Sequence, residues 1–211
     1  NLGEGTYTYY CAVTCDGYTV NTENATLFVT SATGNYEVTS SGGLTFKYPT
    51  LETAITVAKS KPNSTVKLLA DATTSDTVEV SSGTFTIDLN GKIWTSNASA
   101  AALNITNGCH VTLMDSAAGG KITTSTASLT IRTHHADLTI KSGIYENEND
   151  NHMSWVLGAY SSGTVTIQGG TIQTSKSVVY LVYLQSVDVV ISGGTFSGGT
   201  TAFDNCDSVA L

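Results

Sequence analysis

A pattern of alternating apolar and polar residues recurs five times along the chain, and each copy runs into a glycine. The copies are TFTIDLNGKI, VTLMDSAAGGKI, LTIKSGIY, VTIQGGTI and VVISGGTF. Strict alternation over a short segment is typical of a β-strand that buries one face. The central apolar residues lie 26, 27, 27 and 24 residues apart; they are Ile87, Leu113, Ile140, Ile167 and Ile191. The pattern therefore predicts an internal strand repeat.

A second alternating strand precedes each copy, and no helix-period segment lies between the two. Its predicted inward positions are Val78, Val80, Leu103, Ile105, Leu129, Ile131, Leu157, Ala159, Val182 and Leu184. Strands that recur in parallel without crossover helices must coil, each stacking on the one below at about 4.8 Å. Chirality favours a right-handed coil. We therefore predict an all-β fold, a right-handed parallel β-helix of about five rungs, where a rung is one turn of the coil.

The open end of such a coil needs a cover, because a bare strand edge invites aggregation. Residues 50–59 predict a short helix, with Thr50 as N-cap and Glu52 in the first turn, where it complements the helix dipole. The apolar positions that fall on one face of this helix are Leu51, Ile55 and Ala58. A strand at residues 65–69 follows the helix. We predict that residues 35–75 form an N-terminal cap.

The first thirty residues predict a β-hairpin. Tyr7 to Thr14 and Tyr18 to Val29 are its strands, and Asp16-Gly17 is a two-residue turn. An isolated hairpin is marginally stable in water. We expect it to pair with neighbouring modules of a longer chain, of which this sequence is a piece, or to dock on the β-helix.

Composition narrows the range of partners. Charged residues make up 12% of the chain and the net charge is −8, against a usual charged content of about a quarter. Nucleic acid and polyanionic substrates are disfavoured, since both need clustered Lys or Arg. No apolar run is long enough to span a membrane, and no signal-peptide pattern opens the sequence. The four cysteines lack zinc-site spacing. We predict no disulfide between Cys109 and Cys206 and none between Cys11 and Cys15; other partners of Cys11 and Cys15 stay open.

Two resemblances suggest a compartment. The rungs, with Leu89-Asn90-Gly91-Lys92 and later Gly-Gly-Thr turns, and the cap TLETAITVA…STVKLLAD resemble the pectate-lyase-like β-helix repeats of large bacterial cell-surface proteins, over about residues 44–211. The segment GTYTYYCAVTCDGYTVNTENATLFV resembles the last two strands of an immunoglobulin-like domain, with Tyr9 at the tyrosine-corner position before Cys11. The strand with the other core cysteine is missing, and Cys15 is extra. The resemblances imply a partial immunoglobulin-like domain at 1–32, a β-helix at 33–211, and a bacterial surface or secreted protein.

Outward-facing positions that recur from rung to rung form columns on the surface, and these columns contain few groups suited to catalysis. Lyases and hydrolases of the pectate-lyase-like group need several Asp on neighbouring rungs or paired carboxylates. The outward residues after the central apolar positions are Asp88, Met114, Lys141, Gln168 and Ser192, which include one carboxylate. We therefore assign no catalytic residue, no metal and no cofactor. The residues before those positions are Thr86, Thr112, Thr139, Thr166 and Val190. We interpret them as strand propensity and packing, with a flat array for ice or crystalline polysaccharide as the alternative.

Two polar segments have a possible chemistry of their own. His134 and His135 suit a metal ion or acid–base work, but neighbours in an extended chain point to opposite sides, so we interpret them as a polar turn. The run from Glu146 to His152 offers oxygen ligands for calcium but lacks the spacing and glycine of a calcium loop. We interpret it as a solvated loop.

One outward face favours a ligand. We predict that Arg132 and Tyr160 share a column on successive rungs, with Tyr183 diagonally above and Gly158 leaving room beneath it. Trp155 and Tyr180 are expected in a neighbouring column that points inward or rims the core. Aromatic rings beside an arginine suit the apolar face of a sugar. Packing between rungs is the alternative. We take Arg132, Tyr160 and Tyr183 as the candidate glycan-binding residues.

Three functions remain open from the sequence. The first is a non-catalytic extracellular surface or adhesion module that binds neutral glycans or a host or cell-surface ligand. The second is a glycan-active enzyme, a polysaccharide lyase or glycoside hydrolase of the pectate-lyase-like group. The third is a plain spacer in a repeat stalk.

Overall fold

The structure, a computed structural model, describes residues 5–29, 34–199 and 203–204 of the chain. Its described part is all-β apart from a single helix. Most strands belong to three parallel sheets that coil into a β-helix of about five turns. The predicted fold class is therefore confirmed, together with an N-terminal antiparallel hairpin.

The N-terminal segment contains four short strands. They are β1 (Gly5–Tyr9), β2 (Ala12–Cys15), β3 (Tyr18–Asn21) and β4 (Ala25–Val29). Strands β2 and β3 form a hairpin, while β1 pairs with β4 in antiparallel fashion. Asp16 and Gly17 connect β2 to β3 with φ angles of +49° and +80°. Two left-handed residues in succession match the right-handed twist of the flanking strands, so the predicted turn is confirmed.

A small antiparallel unit and the helix precede the coil. The elements are β5 (Tyr36–Thr39), β6 (Thr45–Tyr48), α1 (Leu51–Lys59) and β7 (Ser64–Leu68). Helix α1 begins after Thr50, whose Oγ1 accepts a hydrogen bond from the Thr53 backbone N–H at 3.2 Å. The residues that α1 buries are Leu51, Ala54, Ile55, Val57 and Ala58. The predicted helix, its N-cap and its apolar face are confirmed.

Successive strands of the coil go to the three sheets in turn. The strands are β8 (Ala72–Thr74), β9 (Val78–Val80), β10 (Thr84–Asp88), β11 (Ile93–Ser96), β12 (Ala101–Thr106), β13 (His110–Met114), β14 (Lys121–Thr124), β15 (Leu129–His134), β16 (Asp137–Ile140), β17 (Ile144–Asn147), β18 (Trp155–Tyr160), β19 (Thr164–Ile167), β20 (Thr171–Gln173), β21 (Tyr180–Gln185), β22 (Asp188–Ile191), β23 (Thr195–Ser197) and β24 (Phe203–Asp204). The first sheet has the order β22-β19-β16-β13-β10-β7-β5-β6. The second sheet is β23-β20-β17-β14-β11-β8, and the third is β24-β21-β18-β15-β12-β9.

The interior of the first sheet is a ladder of aliphatic side chains. Neighbouring strands pair its members residue for residue; they are Ile87, Leu113, Ile140, Ile167 and Ile191. The first four are at most 1% exposed, and Ile191 is partly buried against the core. The predicted register of the repeat is confirmed.

The third sheet departs from strict alternation. All ten predicted inward residues are buried, and nine of them belong to the main core cluster, which Leu129 does not join. Thr130 and Ile131 are both fully buried although they are consecutive. The ladder omits Thr130: Leu129 pairs with Ala101 and Trp155, and Ile131 pairs with Leu103 and Leu157. Leu129 is buried, but it packs at Gly158 and not in the main core cluster. Val156 and Leu157 are likewise buried in succession on the next rung.

The described cysteines are free thiols. Cys11 and Cys15 are exposed, and Cys109 is buried. The Cys109 thiol donates to the Thr106 carbonyl oxygen at 2.7 Å, and burial raises the pKa of this thiol. Cys206, for which we predicted no bond to Cys109, lies outside the described residues. Within the described ranges, no helix is both long and apolar enough to cross a bilayer.

Candidate functional site

The outer face of the third sheet brings the three predicted residues together, though in a different register. Arg132 pairs with Gly158, and Gly158 pairs with Tyr183, so these three form one column. Tyr160 pairs instead with His134. The predicted shared column of Arg132 and Tyr160 is therefore wrong by two residues. The alignment assumed strict alternation, which fails at Thr130-Ile131 because both residues are buried.

Four aromatic rings form a continuous chain on this face; we define the aromatic patch as Trp155, Tyr160, Tyr180 and Tyr183. Trp155 stacks on Tyr180 with ring centroids 5.9 Å apart and planes at 23°. Its ring also lies 5.4 Å from that of Tyr183, which in turn lies 5.2 Å from that of Tyr160. All four side chains are partly exposed. Trp155 and Tyr180 were expected to point inward or to rim the core; both are partly exposed, and Nε1 of Trp155 is buried, as expected of rings at the rim.

Leu129 and Gly158 lie at the base of the patch. A Cβ atom added at Gly158 would lie closer to Leu129 Cδ2 than any ordinary contact allows, and it would lie 2.9 Å from the Tyr160 hydroxyl oxygen. The space in front of Gly158 is therefore filled by Leu129 and Tyr160. It is not the free space beneath Tyr183 that the sequence suggested. The rings are thus supported from below by an aliphatic side chain.

Arg132 stands at the edge of the patch and is held by a polar column. Its Nε donates to Asn104 Oδ1 at 2.9 Å, and Asn104 Nδ2 donates to Glu79 Oε2 at 2.6 Å. Asn104 is 5% exposed, while Arg132 is partly exposed. Burial raises the pKa of the Tyr160 hydroxyl, Tyr183 raises it further, and the charge of Arg132 lowers it. The guanidinium therefore lies near enough to Tyr160 to act on it electrostatically.

The carboxylates that catalysis would require instead accept hydrogen bonds from backbone N–H groups. Asp88, which was predicted to face outward, is 4% exposed, and its Oδ1 accepts the N–H groups of Asn90 and Ser116, each at 2.9 Å. Asp115 accepts the N–H of Gly91 at 2.6 Å and that of Gly120 at 2.7 Å. These side chains tie neighbouring turns together.

The same role extends to Asp137, which lies beside the histidine pair. Its Oδ1 accepts the Thr164 backbone N–H from the next rung at 2.7 Å. Its Oδ2 lies 3.8 Å from His110 Nδ1. Both contacts join strands of adjacent rungs, and the hydrogen bond to Thr164 makes this carboxylate too a link between turns of the coil.

The adjacent histidines lie on the same side of the chain, which corrects the geometric expectation. His135 has a φ of +53°, and its ring contacts that of His134 edge-on at 4.3 Å. His134 Nε2 is hydrogen-bonded to Ser161 Oγ at 3.1 Å, and His135 Nδ1 to Ser162 Oγ at 2.8 Å. Among the described residues, no group of three or more His, Cys, Asp or Glu side chains is arranged to hold a metal ion.

The polar loop after Glu146 is built from successive Asx turns. The side-chain oxygens of Asn147, Asn149 and Asn151 each accept the backbone N–H two residues further on, at 3.0 to 3.1 Å. Glu148 accepts hydrogen bonds from the backbone and hydroxyl of Ser175. Asp150 pairs with Lys176 at 2.8 Å. These acids dock the loop onto the next rung.

Two other surface features, a threonine row and a shallow cavity, offer few reactive or charged groups. The threonine row of the first sheet is confirmed in register from Thr86 to Val190, and it continues through Thr65 to Thr39. A shallow cavity of about 320 Å³ lies over the glycine turns at Gly143 and Gly170. Asp115 lines it, but both carboxylate oxygens of Asp115 accept backbone N–H groups.

The fold and this face together define the class as a parallel β-helix with an aromatic outer face on one sheet. Comparison with protein-family models, with curated proteins and with solved structures finds no match for this chain. The function must therefore be argued from the site itself.

Proposed function

We propose that the chain is a non-catalytic extracellular surface or adhesion module that binds neutral glycans through the aromatic patch. The observation that carries the proposal is the unbroken contact of four partly exposed rings on one outward face. The C–H faces of sugars pack on such rings, and neighbouring polar groups supply hydrogen bonds. Because the rings already pack against each other, little side-chain entropy is lost when a ligand binds.

The compartment is part of the same proposal. The resemblance of the rungs to pectate-lyase-like repeats of bacterial cell-surface proteins supports a surface or secreted location, as does the likeness of residues 5–29 to an immunoglobulin-like hairpin. The low content of charged residues, 12%, also suits a glycan ligand better than a charged polymer.

The alternative, a glycan-active enzyme, would require two carboxylates facing one sugar or a metal-bound acidic centre. On the aromatic face, Glu79 is bonded to Asn104 and stands in the column of Arg132. Asp88 and Asp115 are committed to backbone N–H groups elsewhere. Assays for new reducing ends and for unsaturated products, with calcium present, should detect no turnover. Turnover that persists through purification would favour the enzyme.

A glycan array tests the binding proposal. The wild-type protein should retain neutral oligosaccharides, and the double variant Tyr160→Ala/Tyr183→Ala should lose at least about tenfold in affinity, since stacked rings contribute on the order of 1–3 kcal/mol. The matched control is Tyr18→Ala, because Tyr18 is 81% exposed on the hairpin. The control should bind as wild type does. Equal retention by the double variant, or no retention by the wild type, would refute the proposal.

A further inference from the structure

Arg132 is the only arginine of the chain and lies beside the aromatic patch. No carboxylate of the described residues forms an ion pair with it, whereas the ion pairs found there involve Lys67, Lys121, Lys176 and His110. Glu79 reaches Arg132 only through the amide of Asn104. A partly buried cation without a counter-ion is unfavourable, and an incoming anionic group would relieve that cost.

The polar column also fixes how the guanidinium is presented. Asn104 is nearly buried, and both ends of its amide are engaged, one by Glu79 and one by Arg132. The hydrogen bond to Asn104 uses Nε of the guanidinium. A guanidinium has five donors in a planar fork, and its terminal nitrogens match the two oxygens of a carboxylate. Asn104 is therefore a positioning residue for Arg132.

We propose that the glycan held by the aromatic patch carries one carboxylate, which the terminal nitrogens of Arg132 bind while neutral sugar rings lie on the aromatic side chains. This inference rests on the proposed function. It concerns a single acidic sugar in an otherwise neutral glycan, because a chain of net charge −8 with one arginine at the site repels a polyanion. Arg132 thus determines specificity and the rings provide the platform.

The test uses matched ligands. Neutral hexose oligosaccharides are compared with the same oligosaccharides oxidised at one terminal C6 to a carboxylate, by titration calorimetry at low and high salt. The wild type should prefer the oxidised member at least about tenfold, as expected for a charge-assisted bidentate contact. The preference should shrink at high salt.

Variants distinguish the effect of the charge of Arg132 from the effect of its position. Arg132→Gln should lose the preference and keep affinity for the neutral member. Arg132→Lys should keep part of the preference, because it retains the charge but not the fork. Asn104→Ala should reduce the preference although Arg132 is still present. The control Lys141→Gln removes an exposed cation just after β16 and should leave the preference unchanged.

The outcomes distinguish the two proposals. If the wild type binds both members equally and Arg132→Gln changes neither affinity, the carboxylate subsite is overturned and the aromatic patch stands. If the wild type binds neither member of any pair, the proposed function is overturned and the subsite with it. If Lys141→Gln removes the preference as fully as Arg132→Gln, a general charge effect replaces the Arg132 subsite.

Discussion

Leu129 on β15 and Gly158 on β18 are complementary neighbours: the Leu129 side chain fills the space that a side chain at position 158 would need. The Tyr160 hydroxyl lies over the same position. The absence of a side chain at one residue thus lets an aliphatic group support the aromatic patch. This relationship links the register of the coil to the shape of its outer face.

Replacing Gly158 with Ala should therefore disturb the patch. The added methyl group must displace Leu129 and Tyr160, and overpacking of this kind costs about 1–3 kcal/mol. Urea denaturation should show the loss of stability, and glycan affinity should fall with it. Gly42→Ala is the control, since its nearest neighbour would be Ser40 Oγ at 3.9 Å. A Gly158→Ala variant with unchanged stability and binding would contradict the close packing.

The aliphatic ladder makes a prediction about stability. Ile140→Ala should lower the free energy of unfolding by about 2–5 kcal/mol, because it leaves a cavity in a closed interior. Val190→Ala is the matched control, since Val190 is 45% exposed, and should change stability by less than about 0.5 kcal/mol. Chemical denaturation measures both. Equal effects of the two variants would refute the proposed interior.

Asn147 should be among the most sensitive polar residues. It is fully buried, and its Nδ2 donates to the carbonyl oxygens of Ala127 and Trp155 at 3.2 and 3.0 Å. Asn147→Ala removes both of these buried hydrogen bonds, although the Ala127 carbonyl oxygen keeps the one from Asn149 Nδ2 at 3.0 Å. Thermal unfolding should show a loss of about 1–3 kcal/mol. The exposed Asn97→Ala should behave as wild type, and similar values for both variants would count against this account.

Glu146 makes stability depend on pH. Burial raises the pKa of this carboxyl, but hydrogen bonds from Gln173, Lys121 and Thr123 outweigh burial and hold the pKa below its usual value. A lowered folded-state pKa stabilises the fold above the unfolded pKa of about 4.3 and stops doing so as the pH falls through the folded value.

Glu146→Gln should accordingly be less stable than wild type at pH 7, by about 1 kcal/mol, and the difference should shrink as the pH is lowered from 7 through the folded-state pKa of Glu146. Denaturation over a series of acidic pH values measures this. The control Asp76→Asn, at an exposed turn, should be as stable as wild type at pH 7. A constant gap between wild type and Glu146→Gln would exclude the linkage.

The sequence predicted the coil well because its information is local and repeated. Ile87 and Leu113 occupy equivalent places in successive copies, so spacing alone aligned them. The outer face was harder to predict. At Thr130-Ile131 two consecutive residues are buried, and a period of two cannot reveal such a step. For that reason the register of Arg132 and Tyr160 was predicted wrongly. Thr130 tolerates its buried position because its Oγ1 donates to the Glu146 carbonyl oxygen.

The most direct test of the central claim uses tryptophan fluorescence. The chain has two tryptophans: Trp94 is fully buried, with its Nε1 bonded to Thr74 Oγ1, whereas Trp155 belongs to the aromatic patch. Titration of the wild type with an array-selected glycan should shift or quench the emission in a saturable way. The same titration of Trp155→Phe should leave the Trp94 emission unchanged. A saturable signal that persists in Trp155→Phe, or saturable binding measured by calorimetry without any change in wild-type emission, would contradict glycan binding at the aromatic patch.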